Sequence, residues 1–553
     1  MPSLVFDVAA LVIGLAFASF VYDRRRKRSP HAHLPFPPGP KGLPLIGNLL
    51  DLPKSNEWEV YDKWSKEFDS GLIHLNVCGT HIFIVNSAEV ANDLFEKRSA
   101  LYSDRPAFPA QTKLLEFDWV LDFQPYGPRW RAMRKMFHEQ FHPTATTQWY
   151  PLQAKATHKF LQRLLETPDQ LDANVRHMAG EIILAIAYGI DVKPHNDPYV
   201  VTAEKSLRAL AIGSTIGIIY DLLPILTYLP EWFPGSFKKE AKKWLPYNKA
   251  MVENPYRFVR EALENGTAPP SVAAAAIGKL KHGLDESIAK NVPANMYFAA
   301  ADTTVSATET FFLAMTLYPE AQKKAQAEID AVIGNDRLPD FSDQDSLPYV
   351  EALVKEVMRW RLVVPTAVPH RVTTDDVYNG YFIPAGSTII GNGWGILRDE
   401  KTFPEPEKFM PEHFLDTPVK YPDAAFGFGR RICPGRHFGH ASARPKLCGA
   451  GISIQIRPSV KEVVEGKIFV DGTIRVLEYA RKAMTKKIVV TSKNDWYYQT
   501  LEDAMQPGTH LFVVYSASKA LAEKVVWDFA KQHPEIDIAS VHAGSVYDPT
   551  GHG

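Results

Sequence analysis

The stretch FGFGRRICPGRHFG, Phe426 to Gly439, holds Cys433, one of three cysteines in the chain. A thiolate is the form of cysteine that binds metal or attacks an electrophile, and nearby positive charge and backbone N–H groups lower its pKa. Arg430, Arg431 and Arg436 supply charge, and Gly427, Gly429 and Gly435 let the backbone fold tightly around the sulfur. Cys78 and Cys448 sit at unrelated spacings, so neither a disulfide framework nor a zinc site is expected. A single thiolate on such a loop fits three roles: a structural residue, a nucleophile, or the axial ligand of a haem. Two other groups of residues could do chemistry. Glu356 and Arg359 in KEVMRW are i and i+3, on one face of a helix, either as an exposed ion pair or as a buried one needing further hydrogen bonds. Ala299, Asp302 and Thr303 in AAADTT also share a helix face, which a plain core helix would do equally well.

Large elements must hold these residues. The chain has 553 residues, 45% hydrophobic, enough for one large core or two domains. Its formal net charge of −1 gives no reason to expect nucleic acid as a partner, and its cysteine usage suits a reducing compartment. Leu4 to Tyr22 is nearly all apolar and DRRRKR follows at once, at Asp23 to Arg28. As a helix this run spans roughly 28 Å, so residues 1–28 are expected to be a single-pass membrane anchor with the body on the cytosolic side. Residues 29–50 are proline-rich and expected to be a stiff, extended linker that packs on something. From Glu57 to Met315 the pattern is mainly helical, with a strand pair near Leu72 to Val85. Helices are expected at Pro319 to Gly334 and Leu347 to Trp360, and a hairpin over Val377 to Ile390. Pro293 removes a backbone hydrogen bond from the helix that carries AAADTT and is expected to kink it. The expected fold class is mainly α with minor β.

Phe426-x-x-Gly429-x-Arg431-x-Cys433-x-Gly435 resembles the haem-binding loop of the cytochromes P450. Three further segments resemble family motifs in the family's order: Trp130 and Arg134 as W-x-x-x-R, AAADTT as the oxygen-binding segment of the central helix, and Glu356 with Arg359 as E-x-x-R. The resemblance runs from about residue 1 to 444, and its flavour is that of fungal, microsomal members of secondary metabolism. It implies a haem-thiolate monooxygenase that binds haem b (iron protoporphyrin IX), with Cys433 as the iron ligand and Phe426 and Gly435 framing the loop. It implies Trp130, Arg134, Arg371 and Arg431 as partners of the haem propionates, and Glu356 and Arg359 as the structural pair. Asp302 and Thr303 would be catalytic, Thr303 holding a water and Asp302 relaying protons. The implied partners are an apolar small-molecule substrate and an NADPH-dependent cytochrome P450 reductase, with cytochrome b5 as a second donor. Arg129, Arg131 and Lys135 would form a basic docking patch or a plain solvated face. The endoplasmic reticulum membrane is the implied location. Two departures stand out. Ala300 replaces the usual glycine, and His413 in FPEPEKFMPEHF replaces the arginine that completes a triad with Glu356 and Arg359, so that triad is expected to be weaker.

The domain is expected to run over residues 51–450, and its end departs further. The family has a long helix after the cysteine loop, but Pro445, Gly449 and Gly451 are expected to leave it short or absent. Ile452 to Pro458 reads as a strand. Residues 451–553 resemble part of an extended short-chain dehydrogenase/reductase of the dihydroflavonol reductase type, an incomplete Rossmann-like α/β fragment. Tyr515 and Lys519 stand at its Y-x-x-x-K motif. No glycine-rich pyrophosphate loop follows a strand upstream, and Lys493 stands where a catalytic serine is expected, so Tyr515 and Lys519 read as vestigial. Alternatives to an active monooxygenase are therefore an impaired chimeric product with poor haem retention, and a bifunctional fusion with a nicotinamide-dependent reductase segment.

Overall fold

The computed structural model describes residues 30–447, apart from 32, 216, 234–235, 335–336 and 416–420, and three strands at 487–492, 537–542 and 545–547. These residues fall into two compact units. One holds everything up to Phe311 and from Lys323 to Leu447, and the other holds Phe312–Gln322 and the three C-terminal strands.

The first unit is mainly helical with a small sheet. Its helices are α1 (Glu57–Glu67), α2 (Pro128–Phe141), α3 (Tyr150–Glu166), α4 (Leu171–Tyr188), α5 (Pro198–Thr215), α6 (Ile218–Leu222), α7 (Lys238–Glu264), α8 (Val272–Leu280), α9 (Glu286–Leu317), α10 (Pro319–Val332), α11 (Pro348–Trp360) and α12 (Arg436–Leu447), with α9 and α10 passing through the second unit. Strands β1 (Leu72–Val77) and β2 (Thr80–Val85) form the expected pair, turned at Cys78 and Gly79, both with positive φ. β3 (His370–Arg371) and β6 (Thr388–Gly391) complete a sheet of order β1-β2-β6-β3. Alternate side chains leave a strand on opposite faces. Here Ile73, Leu75, Val77, Ile82 and Ile84 pack with Tyr61 of α1, while Leu72, Phe83, Val85 and Ile389 pack with Phe95, Tyr102 and Phe428. Both faces are therefore buried, and the second reaches the cysteine loop through Phe428.

The proline-rich segment does pack. Pro35 accepts the Phe382 N–H at 2.9 Å and Pro38 the His74 N–H at 3.0 Å, while the Phe36 ring stacks on His74. The expected hairpin is shorter than Val377 to Ile390. β4 (Asp376–Tyr378) and β5 (Tyr381–Ile383) close on Asn379 and Gly380, both at positive φ, the primed geometry that suits a two-residue turn. Residues 388–391 leave it for the larger sheet, because Ile389 and Gly391 are buried there against β2.

Helix α9 runs unbroken from Glu286 to Leu317 with Pro293 inside it. Residues 291–298 are all buried. Asn295 fixes the preceding loop onto it: its Oδ1 accepts the Leu121 N–H at 2.7 Å, and its Nδ2 donates to the Trp119 carbonyl at 2.9 Å. The helix after the cysteine loop is present, the first of the two outcomes expected, short or absent. α12 runs for 12 residues and includes Pro445. Phe438, Ala441 and Ser442 are buried before that proline, so packing secures the helix and the breaking residues act only at its end.

In the second unit β7 (Lys487–Ser492) pairs parallel with β8 (Asp537–His542), which pairs antiparallel with β9 (Ser545–Tyr547). Tyr515, Lys519, the strand expected at 452–458 and the apolar run 4–22 lie outside the described residues. Among the described residues no helix is long and apolar enough to cross a membrane.

The Asp221 carboxylate on α6 accepts the Ala110 N–H at 3.1 Å, and burial pushes its pKa up to about 7. The folded chain thus keeps a proton that the unfolded chain releases, so this group's stabilisation is lost as pH rises from the ordinary aspartate range to about 7. Asp221→Asn removes that loss and keeps an acceptor. Its melting temperature should exceed that of the unmodified protein at pH 8 and match it near pH 4, by differential scanning fluorimetry across pH.

Candidate haem-binding site

The cysteine loop is built by close approach. The Cys433 N–H donates to the Phe426 carbonyl at 2.8 Å and closes the turn. Gly429 has φ +58°, and a Cβ there would lie 2.2 Å from the Phe95 carbonyl oxygen, so no larger residue fits. Its N–H donates to Glu96 at 2.8 Å, and Phe428 stacks on Phe95 with ring centroids 5.0 Å apart. Gly391 of β6 lets Phe428 in, since a Cβ there would lie 2.3 Å from the ring. The Cys433 thiol is half-buried. Its pKa is raised, not lowered as its charged neighbours suggest. Burial outweighs the Gly435 N–H, Arg134 and Arg436, and Asp122 adds to the rise. The sulfur is thus held as a thiol until something stabilises its anion, and binding to a metal does so.

Around it lies a group of buried cations. Arg431 donates from Nε to the Ser103 carbonyl at 2.8 Å and from Nη2 to the Gln124 carbonyl at 2.9 Å. Its guanidinium lies 4.4 Å from the centre of the buried Trp130 ring. Its Nη1 is buried and has no partner. Burial, then Arg105, pulls its pKa down to about 9. Arg105 is itself buried, donating to the carbonyls of Asp122, Val368 and Pro369, and burial brings it down to about 10. Arg134 is shifted down by burial and faces Cys433. His370 donates from Nδ1 to the Tyr102 carbonyl at 2.7 Å, and burial, Arg105 and Arg431 hold it neutral. Arg371, next in the strand, is exposed and lies 3.6 Å from Asp104.

A buried N–H left without a partner costs about 1–3 kcal/mol. Arg431 Nη1, an indole and two more arginines beside a thiol are a donor set for an anionic ligand that also offers a metal. The residues present fit haem: the sulfur for iron, the cations for carboxylate side arms. The sequence picked out Trp130, Arg134, Arg431 and Cys433, and these come together. It missed Arg105, Gln124 and His370, for which only the Arg-Pro and His-Arg pairs give a signal.

On α9, Ala299, Asp302 and Thr303 are exposed between buried Phe298 and Val305, so small residues open a window in an otherwise buried helix. The Thr303 hydroxyl donates to the Ala299 carbonyl at 2.6 Å, and Asp302 pairs with Arg176 of α4 at 2.9 Å.

Glu356 and Arg359 on α11 are wholly buried. Two parallel bonds of 2.7 Å join them. Arg359 also donates to the carbonyls of Leu397, Pro406 and Lys408, and Glu356 accepts the Met410 N–H at 2.8 Å. His413 completes the group. Its Nδ1 lies 3.2 Å from Glu356 and its Nε2 2.6 Å from the Pro404 carbonyl.

Residues 37–444 match the family described as Cytochrome P450. The cytochrome P450 monooxygenase COX2 of Coprinopsis cinerea is 42% identical, covering 78% of this chain and 83% of its own. The cytochrome P450 monooxygenase 208 of Postia placenta is 40% identical, covering 85% and 93%. The tryptamine 4-monooxygenase of Psilocybe cyanescens is 37% identical, covering 78% and 88%.

Glu356→Gln leaves the Arg359 charge buried without its partner, a loss of about 3–5 kcal/mol. His413→Ala removes donors from two buried acceptors and should cost about 1–3 kcal/mol. Urea unfolding of each variant checks this ranking.

Proposed function

Since the chain belongs to the cytochrome P450 family and is a cytochrome P450 monooxygenase, we propose that it inserts one atom of dioxygen into an apolar substrate through a haem ligated by Cys433. The observation that carries the site assignment is Arg431 of the cysteine loop, whose guanidinium lies beside Trp130 and whose buried Nη1 has no partner among the described residues. Cys433 would hold the iron, and Arg431, Trp130, Arg134 and Arg371 the propionates. When bound, the haem supplies the activation of dioxygen and the transfer of its oxygen atom.

The chain's own residues do the rest. The loop half-buries the sulfur, and the stacking of Phe428 on Phe95 fixes its place. Ala299 and Ala300 leave room over the window in α9. Thr303 exchanges its bond to Ala299 for one to a bound water and so holds a proton donor in place. Asp302 passes protons to that water from solvent. Electrons come from an NADPH-dependent cytochrome P450 reductase, with cytochrome b5 as an alternative donor. The exposure of Arg129, Arg131 and Lys135 on α2 supports an acidic docking partner there. Leu4 to Tyr22 would anchor the chain in the endoplasmic reticulum membrane with the body facing the cytosol. The exposed Leu43, Leu45 and Leu50 that follow support an apolar surface nearby. The burial of Phe438, Ala441 and Ser442 on α12 supports retention of the haem.

The reduced protein treated with carbon monoxide should show the strongly red-shifted Soret band of a thiolate ligand. Cys433→Ala should lose that band altogether, whereas Arg431→Leu should keep its position and lower the haem retained after gel filtration. A band at the position of a neutral ligand in the unmodified protein, or turnover by Cys433→Ala, refutes the assignment.

A further inference from the structure

Arg176 on α4 is shared. Its Nε lies 2.9 Å from Asp172, one turn back on its own helix, and its Nη1 lies 2.9 Å from Asp302 on α9. Glu309 stands two turns beyond Asp302 on the same face of α9 and is half-buried. Its carboxyl group hydrogen-bonds to Asp172. The groups that face it are Asp172 and Arg176 from α4 and Asp302 from α9. Burial first, then the bond and the charge of Asp172, push its pKa up to about 7. Three carboxyl groups thus surround one guanidinium, and a cleft with room for about one water, lined by Arg176, Glu204, Tyr297 and Ala301, opens beside it.

We infer that Glu309 is a positioning residue for Asp302: while it holds a proton against Asp172, Arg176 clamps Asp302, and once ionised it draws Arg176 away and frees Asp302 to serve Thr303. This rests on the roles proposed for Asp302 and Thr303 and deepens them. With Glu309 neutral, the guanidinium balances two carboxylates and both of its bonds are fixed. Ionising Glu309 adds a third claim on the same cation and repels both neighbours, so the bond to Asp302 weakens without any movement of the backbone. Nothing is oxidised in this step. One proton leaves the Glu309–Asp172 pair for solvent.

Two measurements test it on the full-length protein. Infrared spectra of the resting protein, recorded in an Asp221→Asn background so that the Asp221 carboxyl group does not contribute, should show a protonated-carboxyl band that disappears as pH rises through about 7. The band should be missing in Glu309→Gln and kept in Asp302→Asn. The second readout is the share of consumed dioxygen released as hydrogen peroxide, with NADPH, cytochrome P450 reductase and no added substrate. It should fall about fivefold across neutral pH in the unmodified protein, the lower end of an ordinary coupling between sites. Glu309→Gln should stay flat at the acid level and Arg176→Gln flat at the alkaline level. A band that survives in Glu309→Gln, or a Glu309→Gln profile that follows the unmodified one, overturns the inference. A protein without the thiolate spectrum overturns the monooxygenase site instead, because the infrared band is read without regard to haem.

Discussion

The buried pair of Glu356 and Arg359 is the constraint on which the rest of the first unit depends. Two charges taken out of water are tolerated only when every donor and acceptor is matched. Here the matching is done by backbone from a different part of the chain: the carbonyls of Leu397, Pro406 and Lys408, and the Met410 N–H. The irregular stretch between β6 and the cysteine loop therefore has little freedom. It takes the path that satisfies a guanidinium and a carboxylate with fixed geometry. His413 belongs to the same logic. Its ring fills the space between Glu356 and Pro404 and reaches both through its two nitrogens.

A second constraint is an imbalance. Arg105, Arg134 and Arg431 are drawn into the protein with mainly carbonyl oxygens for company. Carbonyl dipoles orient a guanidinium but do not neutralise it. Each of the three is pushed below its ordinary pKa by burial. A fold that gathers cations in this way is complete only with an anion. The same site raises the pKa of its thiol, so sulfur and cations alike await one ligand that is both metal and acid.

The sequence made much of this legible. The cysteine loop, the pair on α11, the strand pair and the proline segment all announce themselves by local spacing. Residues that act across the fold did not. Arg105 stands in no motif, because its carbonyl partners lie at Asp122, Val368 and Pro369, one of them near and two far along the chain. Arg176 and Glu309 carry no motif at all, and only the packing of α4 on α9 brings them to Asp302. The helix after the cysteine shows the converse. Pro445 is a strong local signal, yet Phe438, Ala441 and Ser442 commit the preceding turns to the core. At His413 the residue type says nothing of where its two nitrogens find partners, which only the fold supplies.

The loop from Ala110 to Gln124 covers the amino-terminal half of α9 and is held unequally at its ends. At one end Asn295 binds two of its backbone groups with an amide that carries no charge. At the other the Asp221 carboxyl group reaches the Ala110 N–H, with Gln111 donating to Ser214 and the Leu115 carbonyl accepting from Asn248 just behind it. The inequality is one of kind: neutral amides moor the strap along its length, and among these bonds only the one to Asp221 ends on a group that acidity can recharge. A change of pH therefore reaches the strap at its Ala110 end.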